Sequence, residues 1–321
     1  MYVLGIDIGG TKCAVTLGNS DFSNNIDKLI TAKKAFPTDV KRGWEAITTQ
    51  LLDTAEQIIE ENGLCKSDIG GIGISCGGPL DSKKGIICCP PNLPDWDNVP
   101  IKAMFEERFG VSTRLQNDAN ACAVAEWKLG AGRGYSSLIF LTFGTGMGAG
   151  LILDGKLYCG ACDLAGEVGH IRLAQNGPVG YGKAGSFEGF CSGGGIARAA
   201  EAAAEVAKEK GVHSPLFESD VPITAKSLAE SAKTGDAFAK EVYHECAEKL
   251  GLGLSVLIDI LNPEAIIIGS IYERSRELFD ETITQVIACE ALPQSARACR
   301  ILPSGLGDRI GDLAAISLAL E

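Results

Sequence analysis

The sequence has little positive charge and few histidines. Lysine and arginine number 29 against 41 aspartates and glutamates, which gives a formal charge of −12, and there are only three histidines. No basic cluster of the kind that nucleic-acid binding requires stands out, so we expect no nucleic-acid partner. The acidic balance also disfavours anionic membranes. A local phosphate site is still compatible with it, because backbone N–H groups bind anions without basic side chains.

The sequence also lacks a long apolar run. Residues 254–261 form one of the longest, far short of the roughly 20 residues that a membrane helix needs. No charged and then apolar leader opens the chain, so we expect no signal peptide, no membrane partner and a cytoplasmic location. The 12 cysteines lie mostly in apolar surroundings, and we expect reduced, buried thiols rather than a disulfide framework.

Glycine is abundant, with 40 residues, many of them beside predicted strands. Two predicted hairpins have a glycine–threonine tip: strands 2–8 and 13–18 flank Gly9-Gly10, and strands 137–143 and 148–153 flank Gly144-Thr145-Gly146. This recurrence predicts a duplicated, nucleotide-binding lobe, and 321 residues suit two domains. The other predicted strands are 28–35, 69–76, 112–116 and 265–269, and the predicted helices are 43–62, 100–109, 119–131, 193–210, 235–261 and 308–320.

The tips of both hairpins are candidate phosphate sites. Residues 5–12 read GIDIGGTK, in which glycines let backbone amides approach a phosphate, Thr11 and Lys12 add a hydroxyl and a charge, and Asp7 is placed to hold Mg²⁺ through water. Residues 142–150 read TFGTGMGAG, with Thr145 among four glycines. An ordinary tight hairpin explains either turn alone, and their recurrence favours phosphate binding.

A carboxylate follows the strand at 112–116. In QNDAN, residues 116–120, Asp118 lies between a strand and a helix, where it could act as a general base toward a hydroxyl. The local alternative is that Asp118 caps the helix, and the local sequence alone favours it. In GEVGH, Glu167 and His170 could bind neighbouring hydroxyls, and Glu188 in GSFEGF is a further loop carboxylate. The alternatives are a structural histidine and a solvated glutamate.

Seven ordered motifs together resemble the ROK family of sugar kinases and repressors over nearly the whole chain. The resemblance implies an α/β, two-lobed, actin-like and ribonuclease-H-like ATPase fold with duplicated mixed sheets flanked by helices. It implies a small lobe of residues 1–117 and 306–321, a large lobe of residues 118–305, and a sugar in the cleft between them. The motifs are GIDIGGTK (5–12), GGPLD (77–81), PNLPDW (91–96), QNDANA (116–121), LTFGTGMGAG (141–150), GEVGH (166–170) and GSFEG (185–189).

The resemblance also implies roles. Asp118 resembles the catalytic base of the family. The resemblance also implies ATP and Mg²⁺ as cofactors and a homodimer as the assembly. The implied sugar ligands are Gly78, Asn92, Asn117, Asp118, Glu167, His170 and Glu188. The implied nucleotide and phosphate ligands are Asp7, Gly9, Gly10, Thr11, Lys12, Gly144, Thr145, Gly146 and, on the adenosine side, Gly269.

Two segments depart from the family pattern. Many members hold zinc with a histidine and three cysteines, but here the cysteine positions read Val179, Tyr181 and Ser186, so we expect no zinc site of that design. We expect Tyr181 and Phe187 to hold that loop instead; a site rebuilt from Cys159, Cys162 or Cys191 is the alternative. After the strand at 265–269, Ser270 and Ile271 replace the family's glycines, which puts the nucleotide preference in question.

We therefore expect ATP-dependent phosphorylation of a hexose, as in glucokinases, at the 6-hydroxyl. Glucose is the first candidate, ahead of N-acetylmannosamine or another N-acetylhexosamine, allose, fructose and β-glucosides. A non-catalytic sugar-binding member is the alternative, though the retained Asp118 favours catalysis. We expect no DNA-binding module before residue 1 and therefore no repressor. The GEVGH and QNDANA motifs argue against the related ATPase activators with an iron–sulfur cluster.

Overall fold

The computed structural model describes residues 1–21, 25–218 and 221–320. Residues 22–24, 219–220 and 321 fall within the predicted lobes and lie outside the described residues. None of the helices in the described part of the chain combines the length and the apolar character that crossing a bilayer would require.

In the described part of the chain, the strands form two five-stranded sheets and two short two-stranded pairs. The predicted strands are present, with the third shifted to Ile30–Pro37, whereas β10, β14 and the short pairs were not predicted. The strands are β1 Tyr2–Ile8, β2 Lys12–Asn19, β3 Ile30–Pro37, β4 Ile69–Cys76, β5 Leu80–Asp81, β6 Ile86–Ile87, β7 Thr113–Asn117, β8 Leu138–Phe143, β9 Met147–Leu153, β10 Lys156–Leu157, β11 Val179–Gly180, β12 Lys183–Ala184, β13 Ala265–Ile268 and β14 Arg300–Pro303.

The two large sheets repeat one topology. Their orders are β3-β2-β1-β4-β7 and β10-β9-β8-β13-β14. In each, an antiparallel hairpin carries a further antiparallel strand on one side and two parallel strands on the other. The repeat confirms the predicted duplicated mixed sheets. It also places the two glycine-rich hairpins at equivalent positions.

The helices cover the sheets. The predicted helices are present within two residues at each end, and α4, α6, α8, α9 and α10 were not predicted. The helices are α1 Trp44–Glu61, α2 Ile101–Phe109, α3 Asp118–Leu129, α4 Phe187–Phe190, α5 Gly193–Glu209, α6 Ala225–Lys233, α7 Ala237–Leu261, α8 Ile271–Arg274, α9 Asp280–Glu290, α10 Pro293–Ala298 and α11 Ile310–Ala319.

Two apolar cores correspond to the two sheets. One joins the first sheet to α1 and α2, and the other joins the second sheet to α5, α6, α7 and α9. Two smaller clusters connect α3 with α11, through residues such as Leu129, Leu313 and Ile316. Helices α3 and α11 therefore pack together where the chain passes between the two sheets.

Helix α11 lies directly on the first sheet. A Cβ built at Gly73 of β4 would lie 2.0 Å from the carbonyl oxygen of Ala315, so only glycine admits the helix at this distance. The segment before α11 is anchored by the buried carboxylate of Glu126, which accepts the N–H groups of Gly305 and Leu306. The final helix thus returns to the first sheet, and the exact lobe boundaries at 117/118 and 305/306 stay a prediction.

Candidate active site

The ends of three parallel strands bring the first group of predicted site residues to one edge of the first sheet. Ile8 of β1 pairs with Cys76 of β4, and Cys76 pairs with Asn117 of β7. Because the carboxyl ends of parallel strands meet at the same edge, the segments that follow these residues lie side by side. The edge therefore carries Asp7, the GIDIGGTK turn, Gly78 and the Asn117–Asp118 junction.

Hydrogen bonds to backbone carbonyls fix the conformation of the GIDIGGTK turn. The N–H of Gly9 donates to the carbonyl of Lys12 at 3.1 Å. The buried Thr38 donates its hydroxyl to the carbonyl of Gly9 at 2.5 Å, and its N–H to the carbonyl of Thr11 at 3.0 Å. The side chains of Thr11 and Lys12 are exposed at the tip. These two side chains therefore face solvent and take no part in the hydrogen bonds that hold the turn.

Gly10 links this turn to the PNLPDW loop. A Cβ built at Gly10 would lie 2.5 Å from the carbonyl oxygen of Asn92 and 2.8 Å from its Cβ. The side-chain amide of Asn92 faces Gly77, with a Cβ there 3.4 Å from Oδ1. A predicted phosphate residue and a predicted sugar residue are thus in van der Waals contact, next to the exposed Gly78.

The helix cap at the β7–α3 junction is Asn117, not Asp118. Asn117 Oδ1 accepts the N–H of Asn120 at 2.8 Å, and Asp118 is the first residue of the helix, with Oδ1 accepting the N–H of Ala119 at 2.8 Å. The expectation from local sequence that Asp118 is the cap is therefore wrong. Capping uses the oxygen of Asn117 and leaves its amide N–H groups available, while Asp118 keeps one oxygen free of any bond to the described residues.

Asp7 and Asp118 interact electrostatically. Burial raises the pKa of Asp7 from its ordinary 3.8 to about 6, and the charges of Asp312 and Asp118 add to the rise, while Lys12 and Lys33 oppose it. Burial also raises the pKa of Asp118, against hydrogen bonds from backbone N–H groups. Although protein surrounds much of Asp118, the residue still exposes part of its surface to solvent.

No described side chain donates a hydrogen bond to the carboxylate of Asp7. This carboxylate lies among other acidic groups and is short of positive charge, so it fits a magnesium ion held through water. No cluster of three or more histidine, cysteine or acidic ligands occurs among the described residues. A magnesium site here would therefore depend on the phosphates of the nucleotide for most of its inner ligands.

The four glycines of TFGTGMGAG divide into two pairs with different surroundings. Gly144 and Gly146 close the tip, with the N–H of Gly144 donating to the carbonyl of Gly146 at 3.2 Å, and Thr145 is exposed between them. Gly148 and Gly150 lie along β9 instead, where a Cβ at Gly150 would be 2.5 Å from the carbonyl oxygen of Ala119. Gly150 therefore admits the first turn of α3, and the expectation that all four glycines form the phosphate cradle is wrong for this residue.

This packing brings Asp118 beside the second hairpin. Ala119 follows Asp118 directly, and a Cβ built at Gly148 would lie 3.9 Å from the Cβ of Ala119. Asp118 therefore lies between the strand ends of the first sheet and the glycine-rich hairpin of the second. Local sequence could not reveal this, because the two segments are far apart along the chain.

The GEVGH loop lies across β9. Gly166 has φ 93, and a Cβ there would be 2.0 Å from the carbonyl oxygen of Ala149. A Cβ at Gly169 would be 2.3 Å from the carbonyl oxygen of Met147. Both glycines face the strand, so the side chains of Glu167 and His170 are left exposed on the other side.

Glu188 joins this loop to the second hairpin. Its Oε2 accepts the N–H of Met147 at 3.1 Å and would lie 2.9 Å from a Cβ at Gly146. Its Cβ would lie 3.1 Å from a Cβ at Gly169. Glu188 is therefore half-buried and hydrogen-bonded, so the alternative of a merely solvated side chain is wrong.

The sequence predicted helix α5 but did not assign its first residues to the candidate active site. Ser192 caps the helix, and the N–H of Gly193 donates to the carbonyl of Gly144 at 2.7 Å. Gly269 lies nearby, continuing the β13–β8 pairing through its N–H to Leu141 at 3.1 Å. The run Ser-Gly-Gly-Gly at residues 192–195 was the signal that could have pointed to this segment.

The three residues that the resemblance places at zinc-ligand positions do not offer the ligands that zinc prefers. Ser186 is buried and caps α4, whereas Val179 and Tyr181 are exposed, and none of the three offers a thiolate. Cys191 is buried against Cys246 of α7, Cys159 contacts Gln116, and Cys162 is exposed. None of these contacts brings a cysteine to His170.

Hydrogen bonds from basic side chains tie this loop together. Lys183 Nζ donates to the carbonyl of His170 at 2.6 Å, Arg172 to that of Ala184 at 2.6 Å, and Arg198 to that of Val179 at 2.7 Å. Phe187 is fully buried, as expected. The expectation for Tyr181 needs correction, because this residue is 70% exposed and its ring meets the His170 ring in a T-shaped pair, at 5.1 Å between centroids.

The ROK family model matches residues 3–321. The chain belongs to the ROK family. It is 31% identical over 97% of its length to a glucokinase of Halalkalibacterium halodurans, of which it covers 92%. It is also 31% identical, over 99% of its length, to a xylose repressor of Caldicellulosiruptor bescii, of which it covers 78%.

A solved structure of a ROK glucokinase from Streptomyces griseus, in complex with glucose and AMPPNP, shares 29% identity with this chain. The alignment covers 99% of each chain with a TM-score of 0.74. The predicted two-lobed, actin-like ATPase fold of this ROK protein is confirmed. The relatives include both glucokinases and xylose repressors, so family membership alone does not decide between the two.

Proposed function

We propose that this ROK protein is a sugar kinase that transfers the γ-phosphoryl group of ATP to a hexose hydroxyl. The observation that carries the proposal is the position of Asp118. It lies between the two glycine-rich hairpins with a free carboxylate oxygen, because Asn117 performs the capping. The glucokinase relatives support the same reaction, and one of them was solved with glucose and a nucleotide analogue.

Asp118 would act as the general base. Its carboxylate accepts the proton of the sugar hydroxyl as that oxygen forms a bond to the γ-phosphorus, and the bond to the ADP oxygen breaks. Burial raises its pKa above the ordinary aspartate value, which makes the carboxylate a better proton acceptor. When bound, Mg²⁺ would offset negative charge on the phosphates, with Asp7 as its ligand through water.

The other residues would bind the two substrates. Asn117, Glu167, His170 and Glu188 offer amide, carboxylate and imidazole groups suited to sugar hydroxyls, with Gly78 and Asn92 on the opposite side. Backbone N–H groups of the two hairpin tips, with Thr11, Lys12 and Thr145, would hold the phosphates. Gly269 would face the adenosine, and closure of the lobes would exclude water that otherwise competes for the phosphoryl group.

Glucose, at its 6-hydroxyl, is the first candidate substrate, because the relatives at about 30% identity include glucokinases. A cytoplasmic homodimer that holds no zinc completes the proposal. The test is a coupled ADP-release assay with ATP, Mg²⁺ and a panel of glucose, N-acetylmannosamine, N-acetylglucosamine, allose, fructose and a β-glucoside. Sugar binding without ADP release from any of them would favour a non-catalytic sugar-binding protein instead.

A further inference from the structure

Ser270 has a backbone conformation that serine rarely adopts. It follows β13 directly and has φ 57 and ψ −105. This combination lies outside the left-handed region that non-glycine residues occasionally visit, and glycine adopts it without strain. The family pattern has glycine here, so the chain keeps the glycine conformation while carrying a side chain. Strained residues of this kind occur preferentially at functional sites.

The surroundings of Ser270 belong to the proposed nucleotide site. A Cβ built at Gly144 would lie 3.7 Å from Ser270 Oγ, and Gly144 accepts the N–H of Gly193 at 2.7 Å. The next residue, Ile271, lies against the start of α5, with its Cδ1 3.6 Å from a Cβ at Gly193. The half-buried hydroxyl of Ser270 therefore lies beside the second hairpin tip, and the residue after it contacts the start of α5.

This hydroxyl makes no hydrogen bond to the described residues of the protein. Ser270 occupies the capping position of α8, where serine normally accepts a backbone N–H, but its side chain makes no cap bond. Within residues 1–21, 25–218 and 221–320, Ser270 Oγ has no hydrogen-bond partner. The residue therefore bears backbone strain and presents an unused donor and acceptor beside the hairpin tip.

We propose that the hydroxyl of Ser270 hydrogen-bonds the nucleoside part of the phosphoryl donor, a nucleoside triphosphate. This inference rests on the proposed kinase function and adds a residue that recognises the nucleotide. A glycine would provide only the backbone conformation at this position. Serine keeps that conformation and adds one side-chain contact. The departure at residue 270 thereby strengthens nucleotide selection rather than weakening it.

The test compares Ser270→Ala and Ser270→Gly by calorimetric binding of AMPPNP and of inorganic tripolyphosphate. Both variants remove the hydroxyl, and we expect each to raise the Kd for AMPPNP about three- to tenfold, as for one lost hydrogen bond. The Kd for tripolyphosphate, which has no nucleoside, is expected not to change. Ser112→Ala, at an exposed position before β7, is the matched control and is expected to bind both ligands like the wild type.

Thermal melting separates the effect of backbone strain on stability from the effect of losing the hydroxyl. Glycine relieves the strain and alanine retains it, so Ser270→Gly is expected to have a higher Tm than Ser270→Ala, although both lose AMPPNP affinity equally. An unchanged AMPPNP Kd in both variants, or an equal loss for tripolyphosphate, would overturn the inference.

The binding assay also separates this inference from the proposed function. Wild-type protein that binds AMPPNP but phosphorylates no sugar would overturn the kinase proposal and leave the role of Ser270 standing if the variants bind more weakly. Wild-type protein that phosphorylates a sugar while the variants bind AMPPNP normally would overturn only the role of Ser270. A wild type that does not bind AMPPNP would overturn both.

Discussion

Gly10 of the first glycine-rich turn lies against the main chain of Asn92, so closely that a Cβ at Gly10 would be 2.5 Å from the Asn92 carbonyl oxygen. In the proposed kinase, Gly10 contacts phosphate and Asn92 contacts sugar. The two loops therefore share one surface, and neither can move without displacing the other.

Gly10→Ala is expected to raise the KM for both sugar and ATP, each by about tenfold or more, because the added methyl must push the two loops apart. Steady-state kinetics with each substrate varied in turn measures this. Gly311→Ala is the matched control, since a Cβ there meets nothing within 4 Å and the residue lies in α11. A rise confined to the KM for ATP would show that the loops are independent.

Asp118→Asn is expected to lower kcat by about 10²- to 10⁴-fold, the usual contribution of a general base. Asparagine keeps an oxygen for the N–H of Ala119, so the sugar Kd is expected to stay within about threefold of the wild-type value. Asp154→Asn makes the same change at an exposed turn and serves as the control. Near-normal turnover of Asp118→Asn would exclude Asp118 as the base.

Asp7 makes stability depend on pH. Its folded pKa of about 6 lies above the ordinary 3.8, so the folded protein holds a proton that the unfolded chain releases. The stability from this group is therefore present at low pH and is lost as the pH rises through about 6. At a pH of about 8, the removal of the charge in Asp7→Asn is expected to raise the free energy of unfolding by about 1–3 kcal/mol.

Urea unfolding at a pH of about 4 and of about 8 checks this prediction, and the gain is expected to shrink at the lower pH. Mg²⁺ with ATP is expected to raise the Tm of the wild type more than that of Asp7→Asn, since the proposed ion needs the carboxylate. An Asp7→Asn variant that is less stable than the wild type at a pH of about 8 would contradict the raised pKa.

The loop at the family's zinc position is expected to need no zinc. Protein treated with a zinc chelator and returned to Mg²⁺ is expected to keep its Tm and its sugar KM, because hydrogen bonds from Arg172, Lys183 and Arg198 hold the loop. Elemental analysis that finds stoichiometric zinc in purified protein would overturn this expectation.

Lys183→Met tests the hydrogen bond to the His170 carbonyl. It is expected to raise the sugar KM about two- to tenfold, since one hydrogen bond to a charged group orients the loop, and to leave the KM for ATP unchanged. Lys226→Met, on the exposed face of α6, is the control. An unchanged sugar KM in Lys183→Met would assign the positioning of His170 to other contacts.

Sequence reasoning succeeded where a signal is local or periodic. The glycine-threonine tips identified both hairpins, and the apolar stripe of α1 identified its helix within one residue at each end. It failed for α9, whose residues Thr282, Ile283 and Val286 are β-branched and weak helix formers. This helix exists because it packs on α7, where Gly251 leaves room for Val286.

The amino-acid sequence by itself determined the family, the duplicated sheets and the identity of the candidate base, because seven motifs in order specify them. Only the tertiary structure decided what each residue does there. It assigned the cap to Asn117 rather than Asp118, gave Gly150 to the packing of α3 rather than to a phosphate, and left the hydroxyl of Ser270 without a partner. These outcomes depend on contacts between segments far apart in the chain, and no local sequence pattern specifies which distant segment packs against a given residue.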